Sequence, residues 1–148
     1  MTFFKMSRPD KVDRIFSEYI RKKAGNCCEY CGRKGEEGHV LQCSPFFGRR
    51  MESVRFDPNN ADCFCVRCHM KLETEKGVTK GIIHGEEVEL PRSYRSWKIS
   101  KLGLQRFQAL EVRAHQHVKK DRVMSYHYVK ALMADLDGKE QQIIGEAK

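Results

Sequence analysis

Two Cys-x2-Cys pairs, Cys28–Cys31 and Cys65–Cys68, constrain this chain more than anything else in it. Each pair can present two thiolates to one ion from a tight turn. Two such pairs complete a tetrahedral four-sulfur set, the arrangement that structural zinc prefers. Gly32, directly after the first pair, relieves backbone crowding there. The long stretch between the pairs has room for two strands. A site filled by four cysteines is closed to substrate, so the expected Zn2+ accounts for folding and not for chemistry.

The remaining cysteines fit this reading. Seven is an odd number, and the N-terminus, MTFFKMSRPDKVDR, lacks the apolar run of an export signal. A disulfide framework suits an oxidising compartment, so metal binding in a reducing cytoplasm is the better use of these thiols. Cys27 and Cys63 compete for the ion with poorer turn spacings, Cys27-x3-Cys31 and Cys63-x4-Cys68. Cys43 and Cys63 read as small buried hydrophobes of a strand layer.

Around the knuckle, periodicity predicts an α+β fold. Ile15, Phe16, Tyr19 and Ile20 form the stripe of a helix over 9–24, with Ser7 or Asp10 to cap it and Gly25 to end it. A strand is expected over 40–47, interrupted by Pro45. A second short strand is expected over 53–56, a turn at 57–60, and a short helix over 68–75. Residues 77–90 suggest a hairpin around His84-Gly85. Two helices are expected over 102–117, with Leu104, Phe107, Leu110 and Ala114 on one face, and over 121–136, marked by Tyr128, Leu132, Met133 and Leu136. The organisation is then an N-terminal helix in 1–26, a zinc-stapled core in 27–76, a linker and C-terminal helices in 77–138, and a flexible tail in 139–148.

The net charge of +8 and the isoelectric point near 9.2 point to a polyanionic partner, most simply nucleic acid. No apolar run approaches the ~20 residues of a membrane span, so no membrane partner is expected. His115 and His117, two apart, do not share a helix face and read as surface residues. Trp97 with Tyr94, Arg92, Arg95 and Lys98 reads as an aromatic packed against the core beside solvated charges, rather than as a base-stacking or phosphate patch.

What lies between the cysteine pairs carries a resemblance. The order is a strand with LQCSPFFGRR, then SVRFDPNNADCFC, then the second pair followed at once by His69. It resembles the HNH, or ββα-metal (His-Me finger), endonuclease family, and within it the zinc-knuckle phage recombination proteins of the NinG (Rap) type. The matching stretch is about 28–72. The resemblance implies a ββα core whose first strand ends in a general-base histidine, an asparagine in the following loop, and a metal-associated residue on the helix. Asn60 matches the asparagine and His69 the helix position. Arg49, Arg50 and Arg55 fall where basic residues would grip the DNA backbone. Mg2+ or Mn2+ enters only if the chain is an active nuclease.

The base position, however, is Pro45, which cannot accept a proton. Gln42 stands where many relatives carry an acidic ligand, and Met51 where close relatives often have another histidine. General bases contribute ~10²–10⁴-fold to such reactions. His39, six residues upstream, sits too far along an extended strand to substitute unless a loop bends back, at ~3.3 Å per residue, and His69 can serve as the base if it is not a metal ligand. The expectation is therefore a zinc-containing DNA-binding protein of nuclease descent, cytoplasmic (in the bacterial host if phage-encoded), acting in phage DNA recombination with weak or absent cleavage. Two alternatives stand beside it: an active, junction-resolvase-like endonuclease with a relocated base, acting on branched DNA, and a zinc-stabilised protein-interaction module.

Overall fold

The computed structural model of the chain describes residues 9–74, 78–83, 85–91 and 93–146. Of the expected features, Ser7, His84 and Arg92 lie outside these residues. Helix α1, Lys11–Lys23, begins at a capping box: the Asp10 carboxylate accepts from the Asp13 N–H at 3.0 Å, and the Asp13 carboxylate accepts from the Asp10 N–H at 2.7 Å. The helix buries Val12, Phe16, Tyr19 and Ile20. Strands β1, Leu41–Pro45, and β2, Ala61–Cys65, pair antiparallel with Leu41 opposite Cys65 and Pro45 opposite Ala61. Helix α2, Val66–Thr74, follows β2 without a break. A second hairpin, β3 (Val78–Ile83) and β4 (Glu86–Pro91), leads to α3, Tyr94–Leu102, α4, Leu104–Ala114, and the long α5, Arg122–Glu146.

The β1–β2 sheet is covered on both faces. Phe64 meets the rings of Tyr94 and Trp97 of α3 at 5.3 and 4.9 Å between centroids. Its neighbour Cys63 points the other way, as strand alternation requires. The partner opposite Cys63 is Cys43, whose thiol reaches Ser17 of α1. Burial pushes the Cys43 thiol up to about 11 and the Cys63 thiol up to about 12, so both stay protonated apolar fillers at neutral pH. Tyr94 and Trp97 are buried, consistent with packing rather than a surface patch.

Three expectations need correction. Residues 53–56 are not a strand: Glu52–Val54 is a 3-10 turn, and Ser53, Val54, Arg55 and Phe56 are all buried, with none of the alternation a half-buried strand shows. The second strand is Ala61–Cys65, whose five residues are all buried and so carry no alternating signature. The helical C-terminus has three helices, not two. Ser93 caps α3 by accepting from the Ser96 N–H, and Gly103 separates α3 from α4 with φ +82° and ψ 150°, backbone that side-chain-bearing residues avoid. Finally, α5 does not stop near 136 but continues to Glu146.

An ion-pair cluster ties the start of α1, the 52–54 turn and the start of α5 together. Arg55 forms a two-pronged pair with Asp13, at 3.0 and 2.6 Å, and reaches Glu52 at 2.7 Å. Arg122 holds Glu52 at 2.8 and 2.9 Å and Asp10 at 2.7 Å. Planar guanidinium forks suit such shared carboxylates.

Candidate metal centre and the cleft beside it

The first cysteine pair sits in the turn after α1, where Gly32 adopts φ +76°, and the second at the junction of β2 and α2. Folding brings the four together: the Sγ atoms of Cys28, Cys31, Cys65 and Cys68 all lie within 4.8 Å of one another. A tetrahedral ion with metal–sulfur bonds of about 2.3 Å sets its sulfurs about 3.8 Å apart, so the group fits. Cys28, Cys65 and Cys68 are buried and Cys31 is exposed. Without a cation the thiols of Cys28, Cys31 and Cys68 compete for charge. The Cys28 thiolate accepts a hydrogen bond from the Cys68 thiol and others from backbone N–H groups, which bring it down to about 4. Cys68 is pushed up by donating that bond and by burial, and Cys31 by burial and its neighbours' charge. A divalent cation removes this conflict. The four-cysteine group can hold a metal ion. Cys27 stands outside it, its thiol facing the Gly25 carbonyl at 3.5 Å.

Glu29, inside the first pair, docks the metal turn onto the sheet. Its N–H donates to the Cys63 carbonyl at 2.8 Å, and its carboxylate accepts from the Cys63 N–H at 2.7 Å and from Lys101 of α3 at 2.7 Å.

The second feature is a hollow of about 470 Å³ at the far end of β1, lined by Pro45, Phe46, Gly48, Arg49, Arg50, His69 and Glu73. Pro45 ends the strand opposite Ala61. Asn60 is buried behind it. Its side-chain amide accepts from the Phe47 N–H at 2.9 Å and donates to the Phe47 carbonyl at 2.9 Å, while its own carbonyl accepts from the Phe46 N–H at 2.7 Å. Asn60 thus sets the course of the chain just after Pro45. His69, one residue beyond the last cysteine, projects from α2 between two oxygens: Nε2 lies 2.9 Å from Glu73 Oε1 and Nδ1 lies 3.2 Å from Gln42 Oε1.

Of the sequence-predicted residues, Arg49, Arg50 and His69 meet at this hollow, and Asn60 supports its rim. Arg55 does not reach it as a phosphate ligand. Its side chain is 6% exposed and committed to Asp13 and Glu52, so its charge serves the fold. His39 lies elsewhere, in the depression beside Cys31 and Cys65, and Met51 packs against the cluster of Val54, Leu102, Leu110 and Ala114. Glu73 was missed by sequence reasoning, although its position four residues after His69 on one helix is the signal that pairs them. Lys98, expected as a solvated charge beside Trp97, is instead fully buried and paired with Asp62, because a carboxylate of β2 compensates its charge.

No helix among the described residues is long and apolar enough to cross a membrane. Compared with family models, curated proteins and solved structures, the chain matches none, so its own geometry must carry the functional reading.

Proposed function

We propose that this chain is a zinc-stapled DNA-binding protein that grips the phosphate backbone at the hollow beyond β1, with weak or absent cleavage. The observation that carries the reading is the convergence of Arg49, Arg50 and His69 on one hollow whose strand-end residue is Pro45. Two guanidinium groups beside a concave surface suit phosphate oxygens. The Cys28, Cys31, Cys65, Cys68 set is a thiolate site of the kind Zn2+ prefers, and it clamps α2 to the turn after α1, which keeps His69 near β1. The β1–β2–α2 order, with Pro45 ending β1, Asn60 just before β2 and His69 on α2, supports descent from the HNH family and a role in phage DNA recombination. A hydrolytic step needs a proton acceptor or a strongly polarising metal at the attacking water, and Pro45 supplies neither.

One observation favours the second reading, an active nuclease. The His69–Glu73 pair, with Gln42 on the other side of the ring, offers nitrogen and oxygen donors at the hollow's edge. His69 oriented by Glu73 is the residue that would take the base role there, with Mg2+ or Mn2+ as the added ion.

The test is incubation of the zinc-loaded protein with linear and branched DNA, with Mg2+ or Mn2+, beside Pro45→His and His69→Ala. Retarded but uncut DNA, with at most a trace of cutting by Pro45→His, is the expected result. Robust metal-dependent cutting by the unmodified protein, lost in His69→Ala, establishes the second reading instead. No binding to either DNA at low salt refutes both and leaves a protein-interaction module.

A further inference from the structure

A second hollow, of about 540 Å³, opens between the 53–57 segment and the beginning of α5. Its volume lies within the ~300–1,000 Å³ typical of ligand sites. Phe56, 3% exposed, lies at its base. Met124 and Tyr128, four residues apart and so on one face of α5, form a wall. Met124 is 74% exposed and Tyr128 49%, and among the described residues no other ring stacks on Tyr128.

The charges around this hollow are unevenly spent. Arg113 is held by Asp57, which accepts from Nε and a terminal nitrogen at 3.1 and 2.9 Å. Asp121 caps α5 by accepting from the Met124 N–H at 2.9 Å. Both acidic residues of the lining are thereby occupied, and Lys119 and Lys120 on the rim are exposed with no carboxylate against either ammonium among the described residues. The surplus charge is positive and sits beside an unstacked aromatic face.

We infer that this hollow takes an unpaired nucleotide of single-stranded DNA, with the base against Tyr128 and Met124 and the flanking phosphates on Lys119 and Lys120. Base–aromatic stacking over a cationic rim is the recurring physics of single-strand binding. The backbone donors nearby argue against a tightly cradled free nucleotide. The Val118 N–H already donates to Ser53 Oγ, the Lys120 N–H to Glu52, and the Ser125 N–H to the Asp121 carbonyl. A phosphate on the rim meets the flexible ammonium groups of Lys119 and Lys120, which suit a strand's repeated charges. The inference goes beyond the proposed duplex grip at Arg49 and Arg50 and does not depend on it.

The test titrates the full-length, zinc-loaded protein against short fluorescein-labelled oligo(dT), following anisotropy. Tyr128→Ala is expected to weaken binding about tenfold, a stacking-sized loss. Tyr128→Phe, which keeps the ring, should bind as the parent does. Met124→Glu, at an exposed position that leaves the fold intact, should weaken binding severalfold. Lys119→Ser with Lys120→Ser should reduce the slope of log affinity against log salt by about 1.4, two contacts at ~0.7 each. Thymidine monophosphate and inorganic phosphate should not displace the oligonucleotide at its own half-saturating concentration. Unchanged oligo(dT) affinity in both Tyr128→Ala and Met124→Glu overturns the inference and leaves the hollow to a peptide partner. Displacement by the mononucleotide as readily as by the oligomer overturns the assignment to a strand. Repeating the Tyr128 series in an Arg49→Ala/Arg50→Ala background separates the two sites: the Tyr128 effect should persist whether or not duplex binding survives.

Discussion

The Nζ of Lys98 lies 2.7 Å from Oδ2 of Asp62, and neither side chain has any solvent exposure. The Tyr94 hydroxyl donates to the same carboxylate oxygen at 2.7 Å, and Lys101 reaches Oδ1 at 2.6 Å. Asp62 faces away from the helix α1 side of β2, so this network fastens α3 to the sheet that carries both the cysteine group and the hollow beyond β1. Removing one partner leaves a buried charge less well compensated, which costs several kcal/mol where a simple pair is broken. Lys98→Met should destabilise the protein by about 3 kcal/mol, the low end of that range because Lys101 remains on Asp62. Asp62→Asn in the same chain should recover part of the loss, as equilibrium denaturation of the single and double variants will show.

Acid stability should depend on Glu52. Hydrogen bonds from Arg122 come first among the causes that bring its carboxyl down from the ordinary 4.5 to about 2, with Arg55 adding to them. A carboxyl with a lowered folded-state pKa stabilises the fold fully above its unfolded value, and that stability is lost as pH falls towards the folded value. The window is therefore from about pH 4.5 down to about pH 2, and the full effect is of order 3 kcal/mol. In Glu52→Gln the protein should be less stable at neutral pH and its stability should vary less across that window. Denaturant midpoints measured at several acidic pH values will show whether the two curves converge.

Metal removal should unfold the core. Elemental analysis is expected to give about one zinc per chain, and a strong chelator should abolish the cooperative thermal transition, because a closed thiolate site contributes folding free energy directly. Cys28→Ser should lose the metal and the fold together. Cys27→Ser, altering a thiol outside the cluster, should retain both. A folded, metal-free wild type would remove the claim.

The arginines should divide into two kinds. Arg49→Ala with Arg50→Ala is expected to weaken duplex DNA binding and to reduce the salt slope by about 1.8 for two lost contacts. Arg55→Ala should act on stability instead. It leaves the nearly buried Asp13 carboxylate without its two-pronged partner, and a loss of about 3 kcal/mol in stability is expected, with no change in salt slope for the protein that remains folded. Parallel denaturation and salt titration of the two variants decide the point.

Short-range chemistry was legible without the fold. Paired cysteine spacing marked the four metal-binding candidates, an apolar stripe and Asp10 marked α1, and Asp57-Pro58-Asn59-Asn60 marked the tight turn before β2. Each rests on contacts within a few residues, or on a spacing rule that needs no knowledge of the rest of the chain. The tertiary structure decided the remainder. It made 53–56 a buried turn, because Arg55 and Glu52 find carboxylate and guanidinium partners on α1 and α5, far away in sequence. It chose Ala61–Cys65 as the strand opposite β1, because burial on both faces erases the alternation by which a strand is read. It withdrew Arg55 from solvent, and it brought Gln42 to His69 and the 46–50 loop to α2. Composition records that a residue is charged, whereas only packing determines whether that charge faces a partner inside the protein or a ligand outside it.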